Sequence, residues 1–343
     1  MNTTPKTVVG VDTAKDVLQA YWVDAEKSQV INKQIKRSKF LEHFANRSPC
    51  IIGMEACGGS HHWARELIKM GHEVKLMPGK VVKGFAPGNK NDAADAKAIW
   101  LATQQAGVRA VAVKTEQQQS VLAMHRMREQ LVKFRTAQIN ALRGLLAEYG
   151  EVMRQGRPAM NDAIPGILQR LSERVPAVLI DTLREQWNRV AVLDGEIKKI
   201  EMRLQAWMKQ DEACKTIAAI PGVGLLTATA AVATMGNAGA FKSGREFAAW
   251  LGLVPGQNGT GGKVRLLGIS KRGDKYLRKL LVHGARSVLT RSKQPSKWVQ
   301  ELKQRRPLNV AVVAQANKTA RVIWALLAHG SVFDKDHVSS RPA

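Results

Sequence analysis

The residues of this sequence whose types and spacing suggest chemistry are carboxylates. Asp92 and Asp95 lie three positions apart in an alanine-rich stretch, residues 86–100. Either Asn89 or Asn91 could cap a helix there, and the i, i+3 spacing would place both carboxylates on one face of its first turn. Such a pair can also simply complement the helix dipole. Its chemical interpretation therefore depends on two further carboxylates upstream.

Each of these upstream carboxylates ends an apolar, strand-like run. Residues 6–12 end on Asp12, and the run that begins at residue 49 ends on Glu55, with glycines beyond it. In a βαβ arrangement, parallel strands that lie side by side bring their C-terminal residues into one crevice. We therefore predict that these two carboxylates meet there, and that the alanine-rich helix adds its two aspartates.

Four carboxylates in one crevice indicate a metal site. Like charges at short range raise one another's pKa values, and a divalent cation removes that cost. Mg²⁺ prefers carboxylate oxygens, and two such ions a few ångströms apart serve in-line phosphoryl transfer. The predicted ligands of Mg²⁺ or Mn²⁺ are Asp12, Glu55, Asp92 and Asp95.

The elements that must position these carboxylates form an α/β domain. Two strand-like pieces, residues 17–24 and 29–36 with a turn at 25–27, predict a meander after the first strand. The pattern further predicts a short helix over 40–46, a helix over 61–70 and a strand over 73–77.

After residue 115 the apolar residues recur at the spacing of a helix. Residues 116–150 predict a long amphipathic helix, and a second helix runs from about 181 to 210. The segment between them is predicted to be a loop, since it carries Pro158, Pro165 and Pro176. The two helices form an αα-hairpin that packs internally or acts as a dimer-forming coiled coil, or they are an ordinary connector. The cations expected to bind nucleic acid from the first helix are Arg126, Arg128, Lys133 and Arg135.

The last third is strongly basic, with sixteen Lys and Arg against three acidic residues between positions 242 and 306. Before it, residues 217–228 resemble a helix-hairpin-helix turn, whose Gly222 and Gly224 could bring backbone N–H groups against a phosphate. A Pro-Gly-x-Gly segment is also a common turn, so both interpretations stay open.

A glycine-dense loop, residues 252–263, lies inside this basic region and carries one hydroxyl, Thr260. It is not a P-loop, because the Gly-Lys-Ser/Thr ending is absent. The cations expected to stabilise a phosphate near it are Lys263, Arg265, Lys271, Arg272 and Arg278. A final apolar helix over 308–328 closes a core, and 331–343 is a loose tail.

Composition supports a nucleic-acid partner. The 343 residues carry a formal charge of +25, with 53 Lys and Arg against 28 Asp and Glu. A nucleic-acid backbone is the commonest large anion, and an anionic membrane surface is the competing partner. The sequence has no apolar run that could span a bilayer and no secretory signal, which predicts no membrane association beyond such a surface. Three cysteines without CxxC spacing indicate reduced cytosolic thiols.

Taken together, several motifs resemble one family, the DEDD transposases of the insertion-sequence family numbered one-one-zero, in particular its eleven-eleven subgroup. The resemblance covers nearly the whole chain. It rests on Gly10-Val-Asp12-Thr-Ala-Lys15, Gly53-Met-Glu55-Ala, Asn91-Asp92-Ala-Ala-Asp95-Ala, Ile220-Pro-Gly-Val-Gly224, Gly252-Leu-Val-Pro255, and Gly268-Ile-Ser-Lys-Arg-Gly-Asp274 with Leu277-Arg278.

The resemblance implies three domains and a tail. An N-terminal RuvC-like catalytic domain with an RNase H fold would cover residues 1–115, and a helical coiled-coil insert 116–210. A mainly α transposase domain would cover 211–330, followed by the tail 331–343. The expected location is the bacterial cytoplasm, in association with the nucleoid.

The resemblance also implies a reaction. It predicts a recombinase that cuts and rejoins double-stranded donor and target DNA, chosen by a structured noncoding guide RNA, and that assembles as a homo-oligomer, a dimer forming a tetramer. The acidic tetrad would be Asp12, Glu55, Asp92 and Asp95. A hydroxyl nucleophile in the C-terminal domain would link covalently to DNA, assisted by the metal site across a domain or subunit boundary.

The family's nucleophilic serine falls on Thr260 here, by its distance from the Gly-Leu-x-Pro element. Threonine carries a hydroxyl that can act as a nucleophile when activated, although its methyl group crowds an in-line attack. Ser270 is the alternative nucleophile, and it could instead cap a helix.

Two other functions remain open at this level. One is a junction-resolving nuclease that uses metal-bound water and forms no covalent intermediate, against which the basic C-terminal third argues. The other is a non-catalytic nucleic-acid-binding scaffold, whose carboxylates only cap helices. Dependence on Mg²⁺ separates the scaffold from both enzymes.

Overall fold

A computed structural model of the chain describes residues 6–24, 27–86 and 91–335. The chain divides into two compact units, Met1–Gln117 and Gln118–Ala343. The proposed cap Asn89, most of the proposed turn at 25–27, and the last residues of the proposed tail lie outside the described ranges.

The first unit is built on a five-stranded sheet. Its strands are β1 (Val8–Thr13), β2 (Val17–Val23), β3 (Val30–Lys36), β4 (Ile51–Glu55) and β5 (Glu73–Met77). They lie in the order β3-β2-β1-β4-β5. The first three pair antiparallel, which confirms the predicted meander, and β4 and β5 run parallel to β1.

Four helices accompany this sheet: α1 (Phe40–Ala45), α2 (Ser60–Lys69), α3 (Gly79–Val82) and α4 (Asp92–Gln104). Apolar side chains of β1, β2 and β4 form a buried core with α1 and α2, which includes Phe40, Phe44 and Trp63. Helix α4 covers the sheet near β1, β2 and β4. The crossovers through helices explain why β4 and β5 can lie parallel to β1.

The second unit begins with three helices: α5 (Glu116–Glu148), α6 (Arg157–Ser172) and α7 (Ala177–Gln210). The prediction of a proline loop between the long helices was wrong, because α6 occupies most of it. Pro158 lies at the start of α6, where its missing N–H costs nothing, while Pro165 lies inside the helix. Burial of Met160, Ile164 and Leu171 at three- and four-residue steps offsets the hydrogen bond that Pro165 removes.

The two long helices of this unit pack against each other antiparallel. Leu142 and Leu146 near the end of α5 share a buried cluster with Leu183 near the start of α7. At the other end, Val121 of α5 lies in a cluster with Leu204 of α7. The sequence left open whether the two long helices pack internally, form a dimer or are a connector. At least one face of each helix packs internally.

The remaining elements form a helical core that carries an exposed hairpin. The helices are α8 (Glu212–Ala218), α9 (Leu225–Met235), α10 (Gly244–Trp250), α11 (Lys275–Arg291), α12 (Lys297–Arg305) and α13 (Leu308–His329). Helix α13 packs against α10 and α11, as expected of a helix that closes the core. Among the described helices, none is long and apolar enough to cross a bilayer.

The predicted glycine-dense loop was wrong in part, because most of it forms a β-hairpin. Its strands are β6 (Pro255–Thr260) and β7 (Lys263–Ile269), and Thr260 pairs with Lys263 across a two-residue turn. Gly261 and Gly262 have φ of 56° and 80°, which suit a two-residue hairpin turn and which side chains rarely adopt. The prediction missed these strands because their polar, exposed residues lack the usual apolar alternation.

Candidate active site and nucleic-acid interface

Three of the four predicted carboxylates come together. One carboxylate oxygen from each of Asp12, Asp92 and Asp95 lies within 4.8 Å of the others. Asp12 is near the end of β1, and the two aspartates are in the first turn of α4, whose N-cap Asn91 accepts a hydrogen bond from the Ala93 N–H at 2.9 Å. The expected convergence of a strand end and a helix start is therefore present.

Glu55 lies beside this group but outside the 4.8 Å radius. The parallel register of β1 and β4 pairs Val11 with Met54, so Asp12 and Glu55 are the next residues on neighbouring strands. A Cβ at Gly79, which follows β5, would lie 2.4 Å from Glu55 Oε1, so this glycine leaves room for the carboxylate. Glu55 occupies the edge of the acidic group rather than its centre.

Two glycines explain how α4 reaches the carboxylates. Gly10 and Gly53 precede Asp12 and Glu55 by two positions, which places each glycine on the same sheet face as its carboxylate. A Cβ on Gly10 would lie 2.4 Å from the Ala96 carbonyl oxygen, and one on Gly53 only 1.8 Å from Thr103 Oγ1. Any side chain at either position would push the helix away from the sheet.

Electrostatics at this group favour a cation. Burial raises the pKa of Asp12 above its ordinary value, and the charges of Asp95, Asp92 and Glu55 raise it further. A divalent ion among the oxygens would reverse that effect, because it stabilises the ionised carboxylates. The oxygen-only donor set fits a hard cation such as Mg²⁺ or Mn²⁺.

The hairpin presents a hydroxyl and cations on one of its faces. Across the pair, Thr260 is opposite Lys263 and Asn258 is opposite Arg265. Since side chains alternate along strands, these four residues share one face, and Val264 and Leu266 lie on the other. Thr260, Lys263 and Arg265 are all exposed. Cations beside the hydroxyl could offset charge that develops on an attacked phosphate.

Ser270 is poorly placed for the same role. Its Oγ is inaccessible and has no hydrogen-bond partner within the described chain. The alternative that it caps a helix was wrong, because the N-cap of α11 is Asp274, which accepts from the Leu277 N–H at 2.8 Å. A nucleophile must reach the substrate, and in this arrangement Thr260 is the accessible hydroxyl of the two.

Arg278 was expected to bind nucleic acid, but the structure uses it to hold the base of the hairpin. Its guanidinium donates to the carbonyl oxygens of Leu251 at 2.9 Å and Arg272 at 2.6 Å. These hydrogen bonds join the end of α10 to the segment that follows β7. Lys271 and Arg272 in that segment are exposed, as a phosphate-binding role requires.

The four cations predicted on α5 divide into two kinds. Arg128 pairs with Glu201 of α7 at 2.6 Å, and Arg135 pairs with Asp194 at 2.7 Å. Both were expected to bind nucleic acid, but they lie where the antiparallel helices meet, with their guanidinium groups already paired to carboxylates. Arg126 and Lys133, seven residues apart, are exposed.

The glycines of the helix-hairpin-helix-like turn also differ in their surroundings. Gly222 has φ of 84°, and a Cβ on it would lie 2.8 Å from the carbonyl oxygen of Gly284 in α11. Gly222 therefore packs closely against that helix on its Cβ side, and its phosphate contact stays a prediction. Gly224 is exposed at the start of α9, with nothing within 4 Å of a Cβ position, and it suits an anion there.

Sequence reasoning missed a buried polar cluster in the second unit. His125 of α5 is 1% exposed and lies 2.9 Å from both Thr229 Oγ1 and the Tyr276 hydroxyl. Thr229 donates to the Leu225 carbonyl at 2.8 Å, so it accepts from His125 Nε2–H, and Nδ1 then accepts from Tyr276. Burial, followed by the charge of Arg128, lowers the pKa of His125 to about 4.

Comparison with known proteins gives two family matches. The DEDD transposase model of IS110 matches residues 9–151, and the model described as Transposase IS116/IS110/IS902 family matches residues 214–300. The first match includes all four carboxylates, and the second includes the hairpin with Thr260.

Full-length relatives carry the same description. The chain is 43% identical over 330 residues to a probable family 20 transposase of Pseudomonas aeruginosa, covering 95% of this chain and 98% of the relative. It is 42% identical to the transposase for insertion sequence element IS1111A of Coxiella burnetii, covering 93% and 89% of the two chains. It is 35% identical to the transposase for IS1328 of Yersinia enterocolitica, covering 96% and 99%.

Proposed function

We propose that this chain, which belongs to the IS116/IS110/IS902 family of transposases, cuts and rejoins DNA strands at the ends of its insertion sequence with a metal-bound acidic group and a hydroxyl nucleophile. The observation that carries this proposal is the convergence of Asp12, Asp92 and Asp95 within 4.8 Å. Asp92 and Asp95 are neighbours in one helical turn whatever their role, so the approach of Asp12 from β1 is what favours a metal site over helix capping alone.

The acidic group would hold Mg²⁺ or Mn²⁺ through Asp12, Asp92 and Asp95, with Glu55 completing the tetrad at its edge. When bound, such an ion stabilises negative charge on a reacting phosphate and supports ionisation of an attacking oxygen. The order of the strands, an antiparallel meander followed by two parallel strands, supports an RNase H-like fold of the RuvC type for this unit.

The nucleophile of the proposed reaction is Thr260. Its Oγ forms an ester bond with phosphorus, a deoxyribose oxygen leaves and takes up a proton, and the hydroxyl proton passes to a base. Lys263 and Arg265 share its face of the hairpin and would stabilise charge on the phosphate oxygens during attack. The covalent ester preserves the energy of the cut bond, so that rejoining needs no external source.

A structured guide RNA and a second copy of the chain belong to the same proposal. The charge of +25 supports binding of more than one polyanion, and the resemblance to the family suggests a noncoding RNA that selects donor and target. On α5, Met127, Phe134 and Leu145 are each about half exposed, at 50%, 52% and 48%. An apolar row of this kind supports packing against a second copy, within a dimer or tetramer.

The test is a reaction on a supercoiled plasmid that carries the gene with its flanking DNA, with RNA transcribed from those flanks. We expect joined product with Mg²⁺, none with EDTA, and a protein–DNA adduct that peptide mapping assigns to residue 260. Loss of product on omitting the RNA would support guidance. Product formed equally well with EDTA would contradict the metal site, and binding without any product under either condition would favour a scaffold.

A junction-resolving nuclease is the second candidate, because the acidic group alone could serve it. It would cut branched DNA with Mg²⁺ and leave no adduct at any stage. Branched substrates without element ends separate the two functions. Efficient cutting of such junctions by the Thr260→Ala variant would favour the nuclease.

A further inference from the structure

The first turn of α4, which carries Asp92 and Asp95, is tied to the sheet by a short chain of amide side chains. Asn32 of β3 donates from Nδ2 to the carbonyl oxygen of Ala93, the residue after Asp92, at 3.3 Å. Gln19 of β2 donates from Nε2 to Asn32 Oδ1. The chain of amides therefore runs from β2, through the edge strand β3, to the acidic turn of the helix.

Gln19 also lies next to the other end of the acidic group. In the antiparallel register of β1 and β2, it is the residue directly opposite Asp12. It is only 7% exposed, although glutamine is usually an exposed residue. Gln19 is thus a neighbour of Asp12 and, through Asn32, is linked to the helical turn that carries the other two aspartates.

The direction of these hydrogen bonds makes each amide depend on the other. The Ala93 carbonyl oxygen can only accept, so Asn32 must turn its Nδ2 towards α4 and its Oδ1 towards Gln19, which then donates from Nε2. A flipped Asn32 would place an oxygen against the Ala93 carbonyl oxygen, where two acceptors repel. By donating to Oδ1, Gln19 stabilises the orientation in which Asn32 holds the helix.

We propose that Gln19 and Asn32 are positioning residues for the metal site, which hold the first turn of α4 so that Asp92 and Asp95 face Asp12. This inference rests on the proposed metal-binding role of the three aspartates. The amides do not touch the metal. They act as outer partners that orient its ligands, and such partners change metal affinity by about 10- to 100-fold when removed.

Gln34 offers a matched control on the same strand. It lies two positions after Asn32, so its side chain is on the same face of β3, and it lines the same depression of about 470 Å³ beside Asn91 and Asp92. Within the described chain it has no hydrogen bond to α4. Replacing it changes the surface of the depression without releasing the helix.

The experiment measures Mn²⁺ affinity by electron paramagnetic resonance on the full chain without DNA. We expect Asn32→Ala to weaken binding by about 10-fold, Gln19→Ala to weaken it similarly, and Gln34→Ala to leave it unchanged. Because both amides act through one bond to Ala93, the double variant should bind no worse than Asn32→Ala alone. Equal affinity of Asn32→Ala and the unaltered chain would overturn the inference, as would additive losses.

A metal-free arm separates this inference from the proposed function. Hydrogen exchange of the amides in residues 92–96, measured with chelator present, should speed up in Asn32→Ala and not in Gln34→Ala, at unchanged global unfolding. Unchanged protection would reject the positioning role whatever the metal does. Mn²⁺ binding that is unchanged in Asp12→Asn would instead reject the metal site. The exchange result would then still show whether Asn32 holds the first turn of α4.

Discussion

The acidic group and the hairpin reach their arrangements by opposite routes. The acidic group joins Asp12 to Asp92 and Asp95, about eighty residues later in the chain, through glycine contacts and an amide chain. The hairpin is local: its turn brings Thr260 and Lys263 together within four residues, and its face is open to solvent. The carboxylates are thus gathered on the sheet and α4, whereas the proposed nucleophile is carried on an exposed hairpin.

This difference predicts how substitutions should affect each site. Substitutions in the packed framework of the acidic group should disturb stability and metal binding together. Substitutions at the hairpin tip should change chemistry without changing stability, since exposed positions usually alter the free energy of unfolding by less than about 0.5 kcal/mol.

The largest expected effect tests the acidic group itself. Asp12→Asn should abolish strand joining, by roughly 10³-fold or more, because it removes a ligand of the proposed metal site. Without metal the same variant should be more stable than the unaltered chain near neutral pH, since it removes the charge that its neighbours disfavour. Thermal unfolding with chelator and a joining assay measure the two effects.

Asp16→Asn is the matched control for this change. Asp16 is exposed in the turn after β1 and lies outside the acidic group, so both measurements should stay at their original values. A loss of joining in Asp16→Asn as large as that in Asp12→Asn would mean that overall charge, not the group's geometry, governs the reaction.

The second prediction tests which hydroxyl group, that of Thr260 or that of Ser270, forms the covalent adduct. Thr260→Ala should eliminate the covalent adduct while leaving the melting temperature unchanged, and Thr260→Ser should retain it, with less crowding at the attacking oxygen. Ser270→Ala should keep the adduct and be neutral or slightly stabilising, because it removes a buried hydroxyl without a partner among the described residues. An adduct absent in Ser270→Ala and kept in Thr260→Ala would transfer the role to Ser270.

The third prediction uses pH, to which the two units should respond in opposite directions. His125 has a folded pKa of about 4 against an ordinary 6.5, so between these values the unfolded chain binds the proton and the folded chain does not. Stability of the second unit is therefore present above pH 6.5 and is lost as the pH falls towards 4, by roughly 3 kcal/mol. Asp12, whose pKa is raised, makes the metal-free first unit more stable as the pH falls through its folded pKa.

Unfolding followed by hydrogen exchange between pH 7 and 4, with chelator, resolves the two units. His125→Gln should flatten the acid loss in the second unit, and His283→Gln, at an exposed position of α11, should not. If the stability of the second unit still falls by the same amount at low pH in His125→Gln, groups other than His125 cause that loss.

Much of the acidic group could be predicted from the sequence, because apolar runs that end on carboxylates mark strand ends. Its framework was harder to predict. Glycines two positions before Asp12 and Glu55 were visible, but their purpose appears only when α4 lies against them. Gln19 and Asn32 carry no periodic signal at all, since a polar residue in a strand can equally face solvent.

The prediction failed for the hairpin and for the cations of the long helices, and the physical reason differs from that for the acidic group. Polar exposed strands have no apolar alternation, so only the Gly261-Gly262 turn could have revealed the hairpin. On α5, Arg126 and Arg128 look equivalent in sequence. Their roles separate only through the antiparallel register, which brings Glu201 of α7 to Arg128.

The fourth prediction tests the packed framework with one methyl group. Gly10→Ala should lower the free energy of unfolding of the first unit by about 1–3 kcal/mol and weaken Mn²⁺ binding, because the new Cβ meets backbone atoms of α4 at 2.4 and 2.5 Å. Gly58→Ala, where a Cβ has nothing within 4 Å, is the control and should change neither quantity. Urea unfolding and Mn²⁺ titration of both variants measure this. Mn²⁺ affinity unchanged in a destabilised Gly10→Ala would separate the packing of α4 from the metal site.

The smallest expected effect concerns the cations of α5 and separates binding from packing. Arg126→Ala should reduce DNA affinity modestly and lower the slope of log K against log salt by about 0.9, as expected when one fewer phosphate is neutralised, with unchanged stability. Arg128→Ala should instead destabilise the pairing of α5 with α7, since it leaves Glu201 without its partner at a site where the arginine side chain is 19% exposed. Its salt slope should match that of the unaltered chain. Fluorescence anisotropy of a labelled duplex at several salt concentrations, with thermal unfolding in parallel, gives both quantities. A salt slope that falls equally in both variants would return Arg128 to the nucleic-acid surface and make its ion pair incidental.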